Sequence, residues 1–256
     1  MKVFSIVNLK GGVGKTVTAV NLAYVLANKY GKRTLLIDAD PQGNATSYAK
    51  LPEAEWCTLA DYMLGDQDDP YAGIIPCANL GFDILPADSA LYEADIVART
   101  QRDPFLLQTI PGFCKALEED GEYDAVVIDC PPNFTTPCIS AIAASTDIIV
   151  PLRIDQFAIS GMKELTTQIN GVRTISPGIR IAGILVTQLA HVNIQQQGLE
   201  YLRDHAPVPV FKQTIRRAVA VEESTFACKP VELYKPHTEV AADYRAWIDE
   251  LMEVAR

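Results

Sequence analysis

The sequence predicts an α/β fold, a mostly parallel, doubly wound sheet flanked by helices. Three observations predict it. Apolar runs rich in Val, Ile and Leu recur along the chain without polar alternation, the pattern of strands buried on both faces. The first run leads into a glycine-rich turn and then a helical stretch. Two later runs end in aspartates, which puts carboxylates at strand C-termini, where open parallel sheets bind ligands. At 256 residues a single domain spanning 1–256 is the natural count. No repeat, low-complexity stretch or Ser/Gly-rich linker divides it.

Taken in order, the strand-like runs cover residues 2–8, 34–38, 125–129, 148–151, 181–187 and 208–211. The first is followed by Lys10-Gly11-Gly12-Val13-Gly14-Lys15-Thr16-Val17. Glycines let the chain curl until several N–H groups point at one anion, and a helix N-terminus adds its positive dipole end. In such a loop Lys15 reaches the β- and γ-phosphates and the Thr16 hydroxyl ligates Mg²⁺. The loop departs from G-x-x-x-x-G-K-[ST] because Leu9 occupies the first glycine position, beside Lys10. Two lysines flanking one loop are one more than a single nucleotide needs locally. Lys10 either decorates the surface or serves a phosphate outside its own loop.

The second run ends in Asp38 and Asp40, which at i, i+2 point to one side of a strand. A carboxylate there holds Mg²⁺ through water or orients an attacking water; alternatively Asp40 caps a local turn before Pro41. The third run ends in Asp129-Cys130-Pro131-Pro132. An aspartate closing an apolar strand beside a phosphate loop is suited to holding the water shell of Mg²⁺.

With these three segments the chain resembles the ParA/MinD group of P-loop ATPases. The resemblance rests on K-G-G-x-G-K-[ST] with its first lysine, on D-x-D-P-Q-G-N-A-T at residues 38–46, and on D-C-P-P at 129–132. The last two look most like the DNA-partition, ParA/Soj-like branch. In that family two subunits sandwich two ATP molecules. The resemblance implies that Lys10 crosses to the partner's nucleotide and that residues Lys10 to Val17 cradle ATP. It further implies that Asp40 positions water, with Asp38, Asp129 and Thr16 around Mg²⁺. Val17 stands where the family has a second threonine.

Residues 215–223, followed by Lys229-Pro230-Val231, resemble the family's I-P-R-N-V-R-x-S-E…G-K-P segment. There the backbone, here at Ile215 and Arg216, contacts adenine, and basic side chains approach DNA. Arg216, Ala218 and Ala220 replace proline, asparagine and the second arginine. The candidate DNA contacts are Arg203, Lys212 and Arg217, with Arg216 and Lys229 nearby in sequence. The net charge of −10 argues against DNA binding as a bulk property, but a local basic strip needs only enough cations to meet several phosphates at once.

The function implied is that of a partition or positioning ATPase. Its ATP homodimer binds non-specific nucleoid DNA. A ParB-like or other cargo adaptor stimulates slow, Mg²⁺-dependent hydrolysis, which segregates a plasmid or chromosome or spaces another large cargo. A MinD-like membrane-associated ATPase and an ATP-gated assembly module with hydrolysis as its timer are the alternatives. In the tail, residues 243–256, an apolar stripe of Tyr244, Trp247, Ile248 and Leu251 faces mainly acids on the opposite side. An anionic bilayer repels such a helix, so docking on the core is expected and membrane binding is not. The opening directly on a strand gives no expectation of an operator-reading domain. No secretory signal or run of ~18 apolar residues is present. The six cysteines include no C-x-x-C pair, which disfavours a metal-cluster carrier and fits reduced thiols in a cytoplasmic, nucleoid-associated protein.

Overall fold

The computed structural model describes residues 1–51, 56–101, 104–190 and 192–255. In chain order the elements are β1 (Lys2–Ile6), α1 (Lys15–Asn28), β2 (Thr34–Asp38), α2 (Thr46–Ala49), α3 (Leu59–Leu64), β3 (Ile75–Cys77) and β4 (Phe82–Leu85). Then come α4 (Leu91–Gln101), a 3₁₀ turn (Pro104–Gln108), α5 (Thr109–Asp120), β5 (Ala125–Asp129), α6 (Thr136–Ala144), β6 (Asp147–Leu152) and α7 (Ala158–Val172). The last are β7 (Arg180–Val186), α8 (Asn193–His205), α9 (Val219–Phe226), α10 (Val231–Tyr234) and α11 (Glu239–Val254).

The strands form one sheet in the order β3-β4-β2-β5-β1-β6-β7. All neighbours run parallel except the antiparallel edge pair β3–β4. Register sets the site. Ile6 pairs with Asp129, and Asp129 pairs with Asp38. The loop after β1 therefore starts beside two adjacent strand-end carboxylates, at the edge where ligands enter such sheets.

Period-2 alternation divides the central strands between two cores. Val3, Leu35, Ile37, Val126 and Ile128 pack on one face with residues such as Leu117, Ile142 and Leu165. Phe4, Ile6, Leu36 and Val127 pack on the other under α1 and α11, against Leu22, Trp247 and Leu251. Both faces are dry, which is why these runs show no polar alternation.

The stripe on α11 lies on this second core, with Tyr244, Trp247, Ile248 and Leu251 all buried; Arg256 lies outside the described residues. Among the described residues no helix is long and apolar enough to cross a membrane. Trp247 is fully buried and meets the Phe211 ring edge-on at 6.1 Å. Trp247→Ala is expected to destabilise the fold by about 3–5 kcal/mol, read as a lower urea midpoint with an unchanged slope.

Two strand expectations are corrected, and two strands were missed. Residues 208–211 are not a full strand. Val210 makes only an isolated bridge to Ile184, with Ile184 N–H donating to Pro209 and Phe211 N–H to Ile184. Pro207 and Pro209 bring no N–H, so no continuous ladder forms. β3 and β4 escaped the sequence reading because each is only three or four residues long, broken by Pro76 or Asp83. β1 ends at Ile6 rather than residue 8; Asn8 instead donates its side-chain amide to Pro151 O at 2.6 Å. All six cysteines are free thiols, four of them buried.

Candidate active site

The loop between β1 and α1 takes its curl from two left-handed glycines, Gly12 at φ 71° and Gly14 at φ 86°. A Cβ is rarely tolerated at such angles. Gly14 is also the N-cap of α1, which has no side-chain cap and no acid in its first turn. The helix's free N–H groups are thus left for an anion. Buried Lys15 folds back over the loop, its Nζ donating to Lys10 O at 3.0 Å. Burial lowers its pKa, while the Asp129 and Asp40 carboxylates pull it back up.

Lys10 points the other way. Its Nζ lies 2.9 and 3.0 Å from the two Asp155 oxygens and 5.7 Å from the centre of the Phe157 ring. Burial pushes the Asp155 carboxyl up, but the Lys10 ammonium and the Phe157 N–H outweigh it and hold it below its usual range.

The three aspartates differ in what surrounds them. Asp38, fully buried, accepts from Asp40 N–H on one oxygen and from Thr46 N–H and Oγ1 (both 2.8 Å) on the other. It organises the turn that carries Asp40. Asp40 lies two residues past the end of β2, so it does not share a strand face with Asp38; it is nearly buried and caps the local turn, with Oδ1 accepting from Gln42 N–H at 3.0 Å. Asp129 is buried with neither carboxylate oxygen hydrogen-bonded; the Thr16 hydroxyl and Lys15 ammonium are the groups that favour its charge. An orphaned carboxylate beside a hydroxyl at a phosphate loop is a hard-oxygen donor set, which fits Mg²⁺.

Burial pushes Asp38 up to about 6 from 3.8, and raises Asp129 well above the same value, with Asp38 adding to the effect. A carboxyl that holds its proton more tightly when folded contributes stability that is full below its unfolded pKa. That contribution is lost as pH rises through the folded value. Asp124, held near about 2 by Arg33, pulls the other way, but only below the unfolded carboxylate range. Nucleotide-free protein is expected to melt higher at about pH 5 than at about pH 7.5. Mg²⁺-nucleotide should narrow the gap; calorimetry at both pH values checks it, and a flat profile contradicts it.

Beside the loop lies a cleft of about 400 Å³ lined by Gly14, Val17, Ile215, Arg216, Arg217 and Tyr244, among others. The fold thus brings the late basic segment to the phosphate loop. The Arg216 guanidinium, however, is committed to α11. It donates to Asp243 at 2.7 and 2.9 Å and also pairs with Glu239, and its backbone N–H goes to Asp243 as well. Arg217 is exposed. Arg203 donates to the Lys212 carbonyl, and neither residue lines the cleft. Sequence reading missed Asp155, Thr187 and Gln188, which touch the loop from the ends of β6 and β7. Their one sequence signal is position, as polar residues just past apolar strands.

Residues 1–181 match the model of the AAA domain family. The chain is 35% identical over 241 residues to the chromosome partitioning protein ParA of Caulobacter vibrioides, covering 91% of this chain and 87% of that one. It is 34% identical over 261 residues to the sporulation initiation inhibitor protein Soj of Bacillus subtilis, covering 99% and 98%. Among solved structures, cobyrinic acid a,c-diamide synthase of Mycobacterium smegmatis, with bound ATP analog and magnesium, superposes with a TM-score of 0.83 at 26% identity. That match spans 99% of this chain and 95% of the other. The phosphate loop, the paired strand-end aspartates and these matches place the chain in the AAA domain family, in the group of the ParA and Soj partition ATPases.

Proposed function

We propose that this chain, acting as one domain, is an Mg²⁺-dependent ATPase that cycles between a monomer and an ATP-sandwich homodimer. The dimer rides non-specific nucleoid DNA, and a ParB-like or other adaptor triggers hydrolysis and release. The observation that carries the reading is the opposite aim of the two loop lysines. Lys15 folds over its own loop, while Lys10 turns outward onto Asp155. A cation directed away from its own phosphate site suits one that completes a partner's.

In this reading the loop N–H groups from Gly11 to Thr16 and the α1 dipole bind the phosphates, and Val17 and Ile215 pack around the nucleoside. Lys15 neutralises β- and γ-phosphate charge. Asp129 and the Thr16 hydroxyl would hold Mg²⁺, which would supply charge neutralisation at the phosphates. Asp38 serves from one layer further out, since its oxygens already have three donors. Asp40 orients the attacking water and takes its proton as the bond to the γ-phosphorus forms and the bridging bond to the β-phosphate breaks.

The Lys10–Asp155 pair is about one-third exposed on each side, so it is worth at most about 1 kcal/mol. Asp155→Asn is expected to raise ATP-dependent self-association by about two- to fivefold, read by sedimentation. The reading itself is tested by light scattering. Mass should double with Mg²⁺-ATP in the wild type and stay monomeric with ADP. A Lys10→Ala protein that keeps full adaptor-stimulated hydrolysis would overturn the role of Lys10.

A further inference from the structure

Immediately after β7 the backbone adopts a conformation that L-residues avoid. Gln188 sits at φ 53°, one of three non-glycine residues with positive φ among those described. Such a conformation persists only where its surroundings over-determine it, and it clusters at functional sites. The surroundings here are the phosphate loop. Gln188 Nε2 donates to Gly12 O at 2.7 Å. Its neighbour Thr187, buried, donates Oγ1 to Val13 O at 2.8 Å.

These two bonds have a directional consequence. In a planar trans peptide the C=O of one residue and the N–H of the next point in opposite directions. Holding the carbonyls of Gly12 and Val13 toward the end of β7 therefore aims the N–H groups of Val13 and Gly14 away from it. The same short segment also grips the cleft wall. Leu189 N–H donates to Ile215 O at 3.0 Å, and Arg217 N–H donates to Leu189 O at 2.9 Å.

We propose that Thr187 and Gln188 are positioning residues. Their side chains set the aim of the loop N–H groups, and through Leu189 they tie the loop to residues 215–217. A filled loop and an ordered Arg217 then stabilise each other. The proposal rests on the nucleotide-binding reading above and adds the route by which nucleotide occupancy reaches the basic segment. It also explains why a strained glutamine stands at 188: glycine would relieve the backbone but leave Gly12 O without its donor.

Gln188→Gly separates the two effects. The nucleotide-free variant is expected to melt at or above the wild-type temperature, while its Kd for Mg²⁺-ATP weakens about three- to tenfold, the loss of one hydrogen bond. Thr187→Val should weaken binding similarly, and Thr187→Ser should restore it. ATP-induced slowing of amide hydrogen exchange at Leu189 and Arg217 should disappear in Gln188→Gly. Wild-type binding within about twofold in both Gln188→Gly and Thr187→Val overturns the proposal and leaves the nucleotide reading intact. Affinity that merely tracks melting temperature through all three variants, Thr187→Ser included, overturns it in favour of a structural role. A wild type that binds no better than Lys15→Ala removes the nucleotide reading and this proposal together.

Discussion

Lys15→Ala is expected to abolish measurable nucleotide binding while the protein stays folded. Lys15 is the buried cation of the loop, and its ammonium spans to the Lys10 carbonyl without a carboxylate bonded to it. A triphosphate would replace that single neutral acceptor with charged oxygens, at roughly 1.5–3 kcal/mol per charged hydrogen bond. Two such bonds lost weaken binding by at least about 100-fold. Stability should change little or rise, because burial already disfavours the charged ammonium. Calorimetric titration with Mg²⁺-ATP, alongside a thermal melt, distinguishes loss of binding from loss of fold. Near-normal affinity would mean that the loop N–H groups and the helix dipole alone hold the phosphates.

Asp40→Asn is expected to bind ATP and dimerise but to hydrolyse about 10²–10⁴-fold more slowly, the usual worth of a positioned general base. Asparagine is the sharper substitution. Its side-chain oxygen can still accept from Gln42 N–H, which Asp40 holds at 3.0 Å, so the turn keeps its cap while the charge is lost. Asp40→Ala removes both and costs roughly a further 1 kcal/mol of local stability. A trapped ATP dimer, seen as persistent doubled mass after ATP addition, is the companion observation. Undiminished turnover in Asp40→Asn would move the water-orienting role elsewhere.

How much of this was legible in the sequence depended on the range of the interaction. The phosphate loop is local: glycines at 12 and 14, a lysine and a threonine, all within one turn of each other, and the structure places both glycines in the left-handed region. The adjacency of Asp38 and Asp129 is not local. Two apolar runs each ending in an acid mark the strand ends, the family resemblance implies that both acids lie near Mg²⁺, and the sheet register is what pairs those ends directly. What could not be read was set by contacts between distant segments. Asp155 meets Lys10 from 145 residues away, and Gln188 meets Gly12 from 176. No short-range pattern encodes either bond.

Arg216 is a related case. The resemblance puts its backbone at the nucleotide and it lines the cleft, while its guanidinium is held by two acids on α11, Asp243 and Glu239. Arg217 and Arg153 are left as the exposed cations at the cleft. Asp38 and Asp129 look equivalent in sequence as acids that close apolar runs, and only burial and hydrogen bonding separate them. One is saturated by turn donors while the other is left without any.

The most direct measurement is binding to non-specific duplex DNA with ATPγS, with ADP and without nucleotide, across a salt series. Binding with ATPγS alone, falling steeply with salt as phosphate contacts release counterions and weakened by Arg217→Ala, is the expected result. Binding in none of the three states by a protein that still dimerises, or equal binding in all of them, would contradict an ATP-gated ATPase that rides on DNA.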